Sequence, residues 1–232
     1  MQSLVNHSKT INQAEKKAFD LNIDDLFIDL FQKQIPFKLT SSQKKCIEEI
    51  YNDIKKASPM KRLLQGDVGS GKTIVAAAAV TATIKNNKQA ALMAPTEVLA
   101  EQHLTSFKKY LEYFDVDIHL LTSSVKDRED IYEIIDRGDP VLIIGTHALI
   151  QDKVNFNNLG LAIIDEQQRF GVEQRKKLVD NDDFTPHQLV MTATPIPRTT
   201  ALAIYGDLEL SVIDELPPGR KKIKSRVLSG GK

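Results

Sequence analysis

The chain has no tryptophan, a single cysteine and no net charge, with Lys+Arg and Asp+Glu both at 31 of 232 residues. Each shortage excludes something. One cysteine, Cys46, cannot build an intramolecular disulfide framework and fits a reducing, cytoplasmic setting. The charge balance removes the global signature of a nucleic-acid binder, so such binding has to come from local patches. No stretch approaches eighteen consecutive apolar residues, so no segment is a candidate transmembrane helix. The polar N-terminus does not resemble a signal peptide. Internal repeats and low-complexity segments are also missing. What is present is 41% hydrophobic residues, enough for a sizeable core in one large domain or a domain with an appendage.

The most specific run is Gly66-Asp67-Val68-Gly69-Ser70-Gly71-Lys72-Thr73. It fits G-x-x-x-x-G-K-[ST], the phosphate-binding P-loop. Glycines there let backbone N–H groups turn inward around phosphate oxygens. Lys72 can reach β- and γ-phosphates of ATP, and the Thr73 hydroxyl can sit on Mg²⁺. The motif needs a strand before it and a helix after it. Lys61–Gln65 supplies a short strand, and the small-apolar run from Thr73 to Ile84 predicts a buried helix.

Further along, strands and helices alternate. Strands are predicted at Ala90–Ala94, Ile118–Thr122, Val141–Gly145, Leu161–Asp165 and Leu189–Thr192, with helices at about 97–112, 125–137, 171–180 and 197–205. Several strands are continuous apolar runs, the mark of strands covered on both faces. The expected fold class is therefore α/β, a mainly parallel central sheet in three layers. Before the loop, a helical stripe from Leu21 to Phe31 ends at Pro36. A helix capped by Ser41 or Ser42 runs to about Lys56. Leu161-Ala162-Ile163-Ile164-Asp165-Glu166 delivers two acids at the C-terminal end of a buried strand, where open α/β sheets bind ligands. Asp165 is expected to hold Mg²⁺ and Glu166 to act as general base toward water attacking the γ-phosphate.

Asp165-Glu166-Gln167-Gln168 and Met191-Thr192-Ala193-Thr194-Pro195 resemble motifs II and III of superfamily 2 helicases. Ala94-Pro95-Thr96-Glu97-Val98-Leu99-Ala100-Glu101-Gln102-His103 is similar to motif Ia, and Gly145-Thr146-His147-Ala148-Leu149 to the next DNA-contact motif. Phe37-Lys38-Leu39-Thr40-Ser41-Ser42-Gln43 looks like the adenine-reading Q-motif. With Arg169-Phe170-Gly171, Pro195-Ile196-Pro197-Arg198-Thr199 and Tyr205-Gly206-Asp207-Leu208, the set resembles the RecG branched-DNA helicases over roughly residues 36 to 225. A transcription-repair coupling translocase is the near alternative, and a nucleotide- or DNA-interaction module without turnover is another.

The resemblance implies a RecA-like helicase lobe at 36–213, a helical lead-in at 1–35 from a wedge domain, and an exit linker at 214–232 toward a second RecA-like lobe with arginine fingers. It implies ATP and Mg²⁺ as cofactors and DNA forks and junctions as partners, with no membrane. Phe37 and Gln43 would meet adenine. Thr96, His103 and Thr146 would touch DNA phosphates. Thr192 and Thr194 would relay nucleotide state to the motif II side chains. Gln168 stands where the family pattern has His; its amide keeps hydrogen bonding but cannot be charged. Without the second lobe, ATP is expected to be held weakly and hydrolysed very slowly.

Overall fold

The computed structural model describes residues 17–24, 26–166, 178, 184–194 and 208–215. In chain order the elements are helix α1 (Phe27–Gln34), helix α2 (Ser41–Ile54), strand β1 (Lys61–Gly66), helix α3 (Lys72–Lys85), β2 (Gln89–Met93), α4 (Glu97–Tyr110), β3 (Asp117–Leu121), α5 (Glu129–Arg137), β4 (Val141–Gly145), a 3-10 turn (His147–Ile150), β5 (Leu159–Asp165), β6 (His187–Thr192) and β7 (Glu209–Ile213). The strands form one sheet in the order β3-β4-β2-β5-β6-β1-β7, and every pairing is parallel. This is the expected α/β class.

Period-2 alternation splits the strands between two cores. Leu92, Ile144, Ile163 and Met191 face α2, α3 and α4 on one side. Met93, Ile143 and Ile164 face α5 and the 3-10 turn on the other. Helix α3 has no polar stripe because it has no wet face: Ile74 through Ile84 are all buried. Its two inner threonines satisfy their hydroxyls on the helix itself, Thr81 on Ala77 O and Thr83 on Ala79 O, both at 2.9 Å.

Several boundaries differ from expectation. The cap of α2 is Thr40 rather than Ser41 or Ser42. Its hydroxyl accepts from Gln43 N at 3.2 Å while Gln43 Oε1 accepts from Thr40 N at 2.9 Å, a reciprocal capping box. The stripe at Leu21–Phe31 is helical only from Phe27. Residues 17–24 instead run along the lobe, with Ala18 N and Leu21 N donating to Ala57 O and Ile54 O. His187 anchors the same segment: its Nδ1 accepts from Met60 N at 3.0 Å and its Nε2 bonds Phe19 O at 2.6 Å. The lead-in that is described therefore packs on the lobe. Helix α5 starts at Glu129, four residues later than expected. Strand β7 was not foreseen. The expected helices at 171–180 and 197–205 lie outside the described residues, Leu178 excepted.

A buried ionic network joins α2, β1 and β7. Arg62 donates twice to Asp53 Oδ2, at 2.9 and 2.6 Å, and to Ser211 Oγ at 2.8 Å, while Ser211 bonds Glu49. Burial alone would raise the Asp53 pKa, but hydrogen bonds from Lys56 and Arg62 outweigh it and hold the carboxyl below its ordinary value.

Candidate nucleotide-binding site

Strand β1 ends at Gly66 and the chain turns through the P-loop into α3. Gly69 (φ 77°) and Gly71 (φ 95°) are left-handed. Gly71 also leaves room for Gln43: a Cβ there would lie 2.2 Å from Gln43 Nε2 and displace the amide from its bond to Ser70 O. The N–H groups of Lys72 and Thr73 open α3 at its positive end, while Ile74 N and Val75 N donate to Gly71 O. Lys72 Nζ lies over the loop, donating to Gly66 O at 2.6 Å and Asp67 O at 3.2 Å. Desolvation lowers its pKa, only partly opposed by the charges of Asp165, Glu166 and Asp67. Ser70 is buried and its hydroxyl has no partner. It lines a cavity of about 170 Å³ together with Gly66, Asp67, Ala193 and the segment Val212 to Glu215. Thr73, in the first turn of α3, is partly exposed, and Val68 is exposed at the loop tip.

The carboxylates come from β5, two strands from β1 with β6 between them. Asp165 ends the strand. Glu166 follows with φ 50°, in the left-handed region. Its side chain is fixed by the loop after β6: Oε1 accepts from Ala193 N at 3.0 Å and Oε2 from Thr192 Oγ1 at 3.3 Å. Thr194 N donates to Thr192 Oγ1 at 3.1 Å, so Thr194 reaches Glu166 through Thr192. The structure thus brings Lys72, Asp165, Glu166, Thr192 and Thr194 together across one sheet edge. Gln168 lies outside the described residues.

Three placements, those of Gln43, His103 and Thr146, differ from expectation. Gln43 does not point out to read an adenine edge. It is 2% exposed, its Oε1 is in the capping box, and its Nε2 donates to Ser70 O at 2.7 Å, inside the P-loop. Phe37 is exposed and sits edge-on to Tyr110 at 5.8 Å, and Gln32 ties the segment down by donating to Phe37 O and accepting from Leu39 N. His103 does not face outward to DNA: its Nε2 meets Asp165 Oδ2 at 2.8 Å. Thr146 is 3% exposed with an unpartnered hydroxyl, so it is buried rather than offered to a phosphate. Thr96 is exposed and caps α4, accepting from Leu99 N at 3.3 Å.

Sequence reasoning also missed Glu215, whose Oε2 accepts from Ser41 N at 3.0 Å at the start of α2. No local signal marks that bond, which spans the chain. For His103 there was a signal: Ala100, His103 and Phe107 share the inward face of α4, a spacing visible in the sequence.

The fold and this site define a RecA-like, P-loop motor domain. Residues 40–203 match the DEAD/DEAH box helicase family, and the chain belongs to that family. Within it the resemblance is to RecG. The chain is 50% identical over 216 residues to the ATP-dependent DNA helicase RecG of Aquifex aeolicus, across 92% of this chain and 27% of that protein. It is 53% identical over 197 residues to the Bacillus subtilis RecG, across 84% of this chain and 29% of that protein. A solved structure of RecG bound to a three-way DNA junction matches with a TM-score of 0.79 and 41% identity, over 96% of this chain and 29% of that one. The expected RecG-type resemblance and RecA-like fold are borne out. The chain spans less than a third of the length of these relatives. Among the described residues no helix is long and apolar enough to cross a membrane.

Proposed function

We propose that this chain is the first motor lobe of a RecG-type, ATP-dependent helicase or translocase acting on branched DNA in repair and recombination. It works with a second RecA-like lobe and a DNA-splitting wedge domain, and residues 214–232 lead toward the second lobe. The reading is supported above all by one observation: the Lys72 ammonium lies within electrostatic reach of Asp165 and Glu166, with Glu166 held by Thr192 and Ala193.

The residues fit the cofactors. Asp165 and the Thr73 hydroxyl are hard oxygen donors, the class Mg²⁺ takes when it is shared with substrate phosphates. ATP·Mg²⁺ supplies the phosphoanhydride whose cleavage drives movement. Lys72 would exchange its loop carbonyls for phosphate oxygens, whose negative charge favours the ammonium that burial disfavours. Asp165 holds the metal side, and Glu166 accepts the proton of the attacking water. Gln43 holds the P-loop, and the exposed Phe37 ring is the one proposed to meet the base. Thr96, at the exposed start of α4, is the residue offered to DNA phosphate. Phosphoryl transfer depends on charge stabilisation, and an arginine finger typically contributes ~10³–10⁵ in rate. Supplied by the second lobe, it leaves this lobe alone with very slow hydrolysis.

Calorimetry of ATP·Mg²⁺ binding to the chain and to Lys72→Ala tests the site. Binding is expected to vanish in the variant, and unchanged affinity would refute the assignment. For the whole protein, ATPase stimulation by forked DNA is expected, and a rate indifferent to DNA would count against the motor reading.

A further inference from the structure

We infer that His103 is a positioning residue for the metal-side carboxylate, and that through it helix α4 couples its exposed N-terminus to the nucleotide site. This deepens the reading above and rests on it. The contact joins two elements with no sequence proximity. His103 Nε2 and Asp165 Oδ2 are 2.8 Å apart, and each side chain is only 12% exposed. An ionised carboxylate only accepts, so the imidazole carries its hydrogen on Nε2 and donates it. No other side chain among the described residues is recorded on the Asp165 carboxylate. One oxygen is therefore committed to the imidazole, and the other is left for a hydrated cation.

Fixing one oxygen selects the carboxylate's rotation about its last bond. Outer-shell partners act on metal ligands in this way, orienting them and raising their basicity. The imidazole is itself held, with its ring centroid 6.4 Å from that of buried Phe107 one turn further on. The same rigid helix starts at Thr96, which is exposed at its cap. His103 lies seven positions after Thr96, about 10 Å along an α-helix. A shift of the α4 cap on meeting a phosphate thus moves the donor that orients Asp165. Within motif Ia, Thr96 is exposed at the helix cap while the His103 imidazole reaches the catalytic edge.

The test separates cation-dependent from cation-independent nucleotide binding in the 232-residue chain. ATP affinity is measured by calorimetry in excess Mg²⁺ and in excess EDTA, for the wild type, His103→Ala, His103→Gln and His103→Asn. Gln places an N–H near the Nε2 position, and Asn is too short to do so. The Mg²⁺-dependent gain is expected to fall about tenfold or more in His103→Ala and His103→Asn. His103→Gln should retain most of it, and affinity in EDTA should be the same in all four. Equal weakening in both media, or an undiminished Mg²⁺ gain in His103→Ala, would overturn the inference. Should His103→Ala fail to fold, the Gln and Asn pair carries the same comparison. Failure of the underlying reading has a different signature: a wild-type chain with no Lys72-dependent ATP binding in either medium.

Discussion

Replacing Gln43 by Ala separates two roles for one side chain. In the structure its amide closes the capping box on Thr40 N and grips Ser70 O within the P-loop. Removal leaves both backbone groups without that partner in a site where Gln43 is 2% exposed. Losing a helix-cap contact costs about 0.5–2 kcal/mol. Losing the bond to Ser70 O costs about 0.5–1.5 kcal/mol more. Together that is about 2 kcal/mol, and a chain of this size loses about 2–4 °C of Tm per kcal/mol, so a fall of about 4–8 °C is expected. Because the lost bond acts on the phosphate loop, ATP, GTP and tripolyphosphate should all weaken by the same factor. Differential scanning calorimetry and competition titrations measure both. Selective loss of ATP at an unchanged Tm would refute the reasoning and restore Gln43 as a reader of adenine.

Arg62→Met should destabilise by about 1–3 kcal/mol in urea unfolding, because Asp53 keeps its bond from Lys56 but loses both bonds from Arg62, and Ser211 loses its guanidinium donor; adding Asp53→Leu should recover much of it. A loss as small as that of a surface ion pair would show that the network is not rigid. His187 is buried and desolvation holds its pKa below the ordinary value, despite its bond to Phe19 O. The unfolded chain takes up that proton near the ordinary pKa of about 6.5 and the folded chain resists, so stability is full above that pH and is lost as pH falls toward the folded value. His187→Gln should flatten this acid-side slope in unfolding measured from pH 8 to 5, and an identical slope would refute it. Thr146→Val removes a buried hydroxyl with no partner, so Tm should hold or rise by the equivalent of about 1 kcal/mol. A clear drop would reveal a hydrogen bond to that hydroxyl.

Much of the fold was legible because its signals are local. The P-loop spacing, the all-apolar α3 and the continuous strands β2, β4 and β5 each follow from residues within a dozen positions. The cap of α2 was misplaced at Ser41 or Ser42, although Thr40-Ser41-Ser42-Gln43 carries the capping-box spacing. Strand β7 escaped because Glu209 to Ile213 is a five-residue edge strand in which one of the two buried positions is Ser211, so neither an apolar run nor a clean alternation marks it. The approach of Lys72 to Asp165 and Glu166 was inferable from the motifs. The partners of Gln43, His103 and Glu215 were not, because each hydrogen bond joins elements far apart in the chain.

By itself, the sequence determined the kind of site: a glycine loop with a lysine, two acids at the end of an apolar strand, and the threonine loop that follows. Those features depend on spacing and on local backbone freedom. Only the tertiary structure decided where each amide, imidazole and hydroxyl points. That choice rests on parallel strand order and helix packing. These buried Gln43 against Gly71, turned His103 inward onto Asp165 and left Thr96 outside, because a side chain's partner is set by what the fold packs against it.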